Sequence, residues 1–214
     1  MTERPGGDSA ERSALVQRGL WLSYATIGYN SLEAVASLVA GVLANSVSLV
    51  GFGVDSVIEV ASSGVAQWRL RSDPDDARRE AVEGTAHRII GWSFLALAIY
   101  VAADSARSLW QHDEPERSWF GMVVLALSVV VMPRLARAKR NVARQMASNA
   151  LEAEAMQTSL CAYLSGIALA GVGLNWLLGW WWADPTAALL MVPIIGREAA
   201  EGIRGGARCE DDCA

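Results

Sequence analysis

Two carboxylates, Asp55 and Glu59, stand four residues apart in a long apolar stretch of the sequence. On a helix this spacing places both side chains on one face, with Cβ atoms about 5–6 Å apart. Inside a bilayer each ionisable residue costs roughly 2.5–3.5 kcal/mol on insertion scales, so it faces the protein interior and marks a functional site by default. Carboxylates this close repel unless a proton or cation lies between them. The pair predicts a site for protons or a divalent cation; the alternative is two carboxylates that only hold the bundle together.

Asn30 and Glu33 form a second polar stripe, three residues apart in the preceding apolar stretch. This stripe could face the first one and contribute further oxygen ligands. An Asn in a membrane helix is also a common interhelical hydrogen-bond donor. Structural and functional interpretations of this stripe therefore both stay open.

A third stripe comprises Glu154, Gln157 and Cys161, which follow one another at helical steps of three and four. Oxygen ligands suit hard cations, whereas a Cys thiolate favours Zn²⁺, Cd²⁺, Cu⁺ and other softer ions. The alternative for Cys161 is a small apolar filler. By hydropathy these residues lie nearer the cytoplasmic boundary than Asp55. A site shared with Asp55 therefore requires this helix to tilt or shift.

The last candidate ligands, Cys209 and Cys213, flank three acidic residues at the end of the sequence. On the cytoplasmic side thiols stay reduced, and such a pair could bind a soft cation. A polar terminal segment without a ligand is the alternative interpretation.

The elements that must position these residues are long apolar helices, since 52% of the 214 residues are hydrophobic. About 20 apolar residues are needed to cross the hydrocarbon core. The sequence predicts an all-α integral membrane protein with six transmembrane helices, of which the fourth and sixth are short. The predicted spans are 20–43, 47–68, 89–109, 119–132, 158–182 and 186–203.

The basic residues predict the orientation of these spans. Of the 18 Lys and Arg residues, all but Arg107 and Arg117 fall on one side of the six spans. Cytoplasmic loops hold Lys and Arg in excess, which predicts a multi-pass protein of the plasma membrane with both termini in the cytoplasm. We expect a disordered segment at 1–13, one transmembrane domain at 14–205 and a short Cys-containing tail at 206–214.

Charge and motif content exclude other classes of function. The net charge of −5 and the distribution of arginines by topology argue against nucleic-acid binding, which calls for a basic face. The sequence shows no Ser/His pair, His cluster or phosphate-binding loop of the kind that would suggest an enzyme. Metal ions, protons and the lipid bilayer are the expected partners, and no resident cofactor is expected.

Together these motifs resemble the cation diffusion facilitator family of divalent-metal transporters. That family has an acidic pair four residues apart in its second span, here with Glu59 in place of the commoner second Asp. Its fifth span opens with Ala-Asp-Ala and a His or Asp pair four apart, here Ala-Glu-Ala followed by Gln157 and Cys161. Further matches are Asn30 in the first span, Gly41, Ser48-Leu49 at the entry to the second span, and Asp184-Pro185 at the start of the sixth.

The resemblance implies a six-helix bundle with a tetrahedral intramembrane metal site formed by Asp55, Glu59, Gln157 and Cys161. It also implies alternating access driven by proton exchange. Gln157 and Cys161 stand where the family has His and Asp, which favours a borderline or soft cation such as Zn²⁺ or Cd²⁺. The cytoplasmic ferredoxin-like domain that usually follows the sixth span is not expected here, which leaves a homodimer possible but unsupported.

The resulting prediction is a proton-coupled transporter that exports a divalent or soft metal cation through a site between the second and fifth helices. Asn30, Glu33, Glu154, Cys209 and Cys213 are secondary candidate ligands. The alternative is a membrane protein that binds or senses a metal ion without transporting it.

Overall fold

The computed structural model describes the backbone of residues 5–71, 76–146 and 149–204, and the side chains of residues 14–64, 67, 88–146, 151–152 and 154–204. Every regular element within these ranges is an α-helix. The helices are α1 (Pro5–Ala44), α2 (Val47–Arg71), α3 (Asp76–Gln111), α4 (Trp119–Met146), α5 (Asn149–Leu178) and α6 (Ala183–Ile203). The predicted all-α fold is confirmed, with helical backbone already beginning at Pro5.

Five of the described helices are long and apolar enough to cross a bilayer, in the stretches Ala14–Ala44, Val47–Gly64, Arg88–Gln111, Trp119–Met146 and Glu154–Leu178. The sixth helix is not among them, because Asp184, Arg197, Glu198 and Glu201 interrupt its apolar sequence. Its 21 residues are nevertheless about 30 Å long, the thickness of the hydrocarbon core. α6 also packs extensively against α3. The six predicted spans thus correspond to six helices, of which α6 depends on its neighbours for burial.

Helix α4 differs most from its predicted span, which ended at residue 132 and was followed by a basic loop. The helix instead continues through Pro133 to Met146, and α5 begins at Asn149. Its buried residues continue at steps of three and four beyond the first basic residues, which is the period of a helix packed along one side. These buried residues are Met132, Ala136, Lys139, Val142 and Ala143. The five basic residues assigned to a loop therefore lie on a helix: Arg134, Arg137, Lys139, Arg140 and Arg144.

Helix α2 lies at the centre of the bundle, where it contacts α1, α3, α5 and α6. Its apolar stretch is 61% buried, compared with 28–39% for the other four spans. Large apolar side chains on the outside of the bundle, among them Leu32, Val42, Ile99 and Trp110, are exposed as expected for contact with lipid. The central position of α2 shields its carboxylates Asp55 and Glu59 from lipid.

A tight turn and a carboxylate of α6 fix the start of α2. Asn45 adopts a left-handed backbone (φ 50°), and the Leu49 amide donates to the Ser46 hydroxyl at 3.2 Å, which caps the helix. Asp184 accepts a hydrogen bond from the Ser46 hydroxyl at 2.8 Å and from the Val47 amide at 3.0 Å. The Ser48 hydroxyl donates to the same carboxylate. The Asp-Pro motif of the sequence therefore holds the N-terminus of α2 in place.

Candidate cation site

The two carboxylates of α2 point into the bundle. Asp55 is 5% exposed and Glu59 is 1% exposed, and one helical turn separates them. Helix α5 covers this face of α2, and α1 lies beside it. The bundle therefore places the acidic pair where the sequence predicts it, away from lipid.

Helix α5 runs antiparallel to α2 and brings Cys161 and Thr158 against this face. The Cys161 thiol is buried and neighbours both Asp55 and Glu59. One turn earlier on α5, the Thr158 hydroxyl donates to Glu59 Oε1 at 2.7 Å. The antiparallel packing of these two helices places Cys161 beside the acidic pair.

Gln157 lies beyond this group, towards the C-terminal end of α2. Its side-chain oxygen accepts a hydrogen bond from the Ser62 hydroxyl of α2. Its nitrogen has no hydrogen-bond partner among the described residues. The structure therefore places Gln157 on the correct helix face but next to Ser62, one turn away from Cys161.

Helix α1 adds the second polar stripe to the same region. Asn30 is fully buried and lies next to Glu59 without a well-formed hydrogen bond. Glu33 accepts a hydrogen bond from the Ser56 hydroxyl of α2 at 3.0 Å, with Tyr29 and Ser128 as its other polar neighbours. The predicted facing of the two stripes is therefore observed for these described residues.

Several oxygens in this region are buried without a hydrogen-bond partner among the described residues. They are Asp55 Oδ2, Glu59 Oε2, Glu33 Oε1 and Asn30 Oδ1. Buried carboxylates are normally paired, hydrogen-bonded or bound to a metal ion. The chemistry of these donors, oxygen atoms with one neighbouring sulfur, fits a cation that accepts mixed ligands.

Glu154 is occupied by another partner. Its carboxylate forms an ion pair with Lys139 of α4, with 2.8 Å between Lys139 Nζ and Glu154 Oε1. The Ser23 hydroxyl of α1 donates to the other carboxylate oxygen at 3.0 Å. Lys139 Nζ also donates to Thr158 Oγ1 at 3.0 Å. The third stripe thus divides between two partners, with Cys161 facing the acidic pair of α2 and Glu154 facing Lys139.

Lys139 and Thr158 are two residues of this region that were not predicted as part of a site. Lys139 was counted with the cytoplasmic cations, yet it is 0% exposed. The signal that would have identified it is its position seven residues after Met132 and three after Ala136, on the apolar stripe of α4. Thr158 carries no comparable signal, because Thr is common in membrane helices as a packing residue.

In the described part of the chain, no three His, Cys, Asp or Glu side chains are arranged to hold one metal ion among them. Asp55, Glu59 and Cys161 are neighbours, but a shared ion would require their side chains to converge further. Cys209 and Cys213 lie outside the described residues. The tail site therefore stays a prediction from the sequence.

The fold and the polar residues on α1, α2 and α5 define a membrane domain of a known family. A family model described as the cation efflux transmembrane domain matches residues 23–204. The match covers most of the chain, and the chain belongs to this family. The resemblance drawn from the sequence motifs is confirmed, and the family is one of cation transporters rather than enzymes.

One curated relative gives a more particular comparison. The chain is 28% identical to Transmembrane protein 163 from Xenopus laevis over 141 residues. This alignment covers 63% of the chain and 48% of the relative. The chain therefore spans about half the length of the relative that it matches.

Proposed function

We propose that this protein transports a divalent or soft metal cation across the membrane, in exchange for protons and in the direction of export from the cytoplasm. The substrate would bind between α2 and α5. Asp55, Glu59 and Cys161 would be its main ligands, and Gln157 a weaker fourth. Asn30 and Glu33 would supply additional oxygens from α1.

One observation supports this proposal most strongly: Thr158 of α5 bonds to Glu59 at 2.7 Å with the buried Cys161 one turn further along α5, and Asp55 and Glu59 each keep one buried oxygen without a partner among the described residues. A helix that only needed packing would gain nothing from two buried acids and a thiol. Burying such groups is costly unless they are paired or bind a cation. Cation binding offsets that cost.

Competition between metal and protons would couple the two fluxes. Metal ligands must be deprotonated to bind, so binding releases protons and acidification releases metal. A site that faces the neutral cytoplasm would load the cation. The same site facing a more acidic outer solution would take up protons and release it. Export would therefore depend on the proton gradient.

Cys161 would set the choice of metal. A thiolate favours Zn²⁺, Cd²⁺ and other borderline or soft ions over Mn²⁺ or Mg²⁺, which prefer oxygen ligands. The carboxylates alone would give a harder site. We therefore place Zn²⁺ and Cd²⁺ first among candidate substrates.

Flux into proteoliposomes tests the proposal. The full chain would be reconstituted with a metal-sensitive dye inside the vesicles, with and without an imposed pH gradient. We expect Zn²⁺ or Cd²⁺ uptake that requires the gradient, is lost in Asp55→Asn and persists in Glu201→Gln. Glu201 is a matched control because its carboxylate pairs with Arg197 on the exposed side of α6.

Two other outcomes have distinct meanings. Transport that survives Asp55→Asn would rule out the assigned site. Stoichiometric metal binding without flux would instead favour the alternative of a binding or sensing protein.

A further inference from the structure

Lys139 is the buried cation nearest to the proposed metal site. Among the described residues it is the one Lys or Arg whose side chain is buried, at 0% exposure. The same region holds four buried carboxylates, namely Glu33, Asp55, Glu59 and Glu154. The protein therefore keeps one positive charge of its own in a region that would otherwise carry only acids.

The Lys139 ammonium has two partners on α5. It forms the ion pair with Glu154 at 2.8 Å and donates to Thr158 Oγ1 at 3.0 Å. Thr158 Oγ1 is in turn 2.7 Å from Glu59 Oε1. The separation between Lys139 Nζ and Glu59 Oε1 is therefore at most the sum of the Lys139–Thr158 and Thr158–Glu59 distances. The Thr158 hydroxyl bridges the two groups.

The Thr158 hydroxyl has one hydrogen and two acceptors within reach. It can donate to Glu59 Oε1 at 2.7 Å or to the Glu154 backbone carbonyl at 3.0 Å. In the first orientation it connects Lys139 to Glu59. In the second it leaves Glu59 available to another cation while still accepting from Lys139.

We propose that Lys139 is a built-in competitor for the cation site, so that its ammonium balances the charge of Glu59 through Thr158 whenever no substrate ion is bound. The ion pair with Glu154 keeps the Lys139 ammonium from pairing directly with Glu59, which limits the competition. A transport site must bind its ion strongly enough to capture it and weakly enough to release it. Lys139 would weaken the binding of the substrate ion, and Glu154 would limit this effect by pairing with Lys139.

This inference rests on the proposed function, because competition requires a substrate ion at Asp55 and Glu59. The rival interpretation gives Lys139 and Glu154 a structural role only, as a clamp between α4 and α5. A clamp affects folding, whereas a competitor also affects affinity for the substrate. A third interpretation makes Glu154 a direct metal ligand.

A double-mutant cycle separates these interpretations. The dissociation constants for Zn²⁺ and Cd²⁺ would be measured by titration calorimetry on the full chain in lipid nanodiscs, together with the thermal unfolding midpoint. The variants are Glu154→Gln, Lys139→Gln and the combined change, with Glu201→Gln as the control. The combined variant leaves no unpaired buried charge at either position, which avoids the main cost of breaking a buried ion pair, so it should fold.

We expect Glu154→Gln to weaken metal binding about tenfold or more, because Lys139 then has Glu59 as its nearest carboxylate. Lys139→Gln should tighten binding, and the combined variant should return to the wild-type value or better. If one single variant does not fold, the other still tests the proposal, since their expected shifts have opposite signs.

Three results would overturn the proposal. Unchanged dissociation constants in folded single variants, with only the unfolding midpoint lowered, would indicate a clamp. Weak binding that persists in the combined variant would indicate that Glu154 is a ligand. A wild-type protein that binds neither ion would refute the proposed function itself, and the competition with it.

Discussion

Thr158 of α5 donates its hydroxyl hydrogen to Glu59 of α2 across 2.7 Å, in an interface from which lipid and solvent are excluded. This bond joins the helix that carries the acidic pair to the helix that carries Cys161. It is also the link between Glu59 and Lys139.

Thr158→Val should destabilise the protein by about 1–3 kcal/mol, the usual cost of leaving a buried polar group unsatisfied. Valine keeps the shape of the side chain but removes a hydrogen-bond partner from both Glu59 and Lys139. The measurement is the thermal unfolding midpoint in nanodiscs. Ser165→Ala is the matched control, because within the described part of the chain that buried hydroxyl bonds only to the Ala162 carbonyl of its own helix. Equal midpoints for the two variants would contradict the assigned bond.

Cys161→Asp should shift the metal profile towards harder ions. The substitution replaces the one sulfur ligand by oxygen, so the preference for Cd²⁺ over Mn²⁺ should fall by about tenfold or more. Initial uptake rates across Zn²⁺, Cd²⁺, Co²⁺ and Mn²⁺ in proteoliposomes would measure this shift. An unchanged order of preference would remove the thiol from the site.

Cys161→Ala should also flatten the pH dependence of metal binding. In the wild type the thiol must lose its proton to bind, so acidification weakens binding through the thiol and the carboxylates together. Without the thiol, only the carboxylate contribution stays. The logarithm of the dissociation constant, plotted against pH, should therefore have a smaller slope in the variant. Equal slopes would show that Cys161 does not release a proton on binding.

Gly91→Ala should destabilise the contact between α3 and α6. A Cβ at Gly91 would lie 2.5 Å from the Ile203 amide nitrogen and 2.7 Å from the Gly202 carbonyl carbon, both backbone atoms that cannot rotate away. Overpacking of this kind typically costs about 1–3 kcal/mol. Gly28→Ala is the control, since nothing lies within 4 Å of that added Cβ. Both variants would be compared by thermal unfolding and by the oligomeric state of the purified protein.

The helical fold and the acidic pair could be predicted because each depends on local pattern alone. Asp55 and Glu59 share a face at any helical geometry, and their cost in lipid directs them inwards. The level at which Cys161 meets them depends on the axial offset between α2 and α5, which hydropathy does not encode. That offset comes from packing between side chains that are distant in sequence.

The burial of Lys139 was not predicted from the sequence. Counting basic residues treats each one as a topological signal. The burial of Lys139 depends on which face of α4 meets α5, and on a carboxylate fifteen residues later at Glu154. A basic residue on an apolar stripe, followed by an acid on the next helix, would be a better indicator than the count.

The hydrogen bonds around Asp184 have a consequence for movement. They join the first turn of α6 to residues Ser46 to Ser48 at the start of α2, and at this corner the two helix ends would move together. Glu59 lies twelve residues further along α2, about 18 Å from this corner. A small rotation of α2 about this corner would therefore displace the acidic pair more than it displaces the start of the helix.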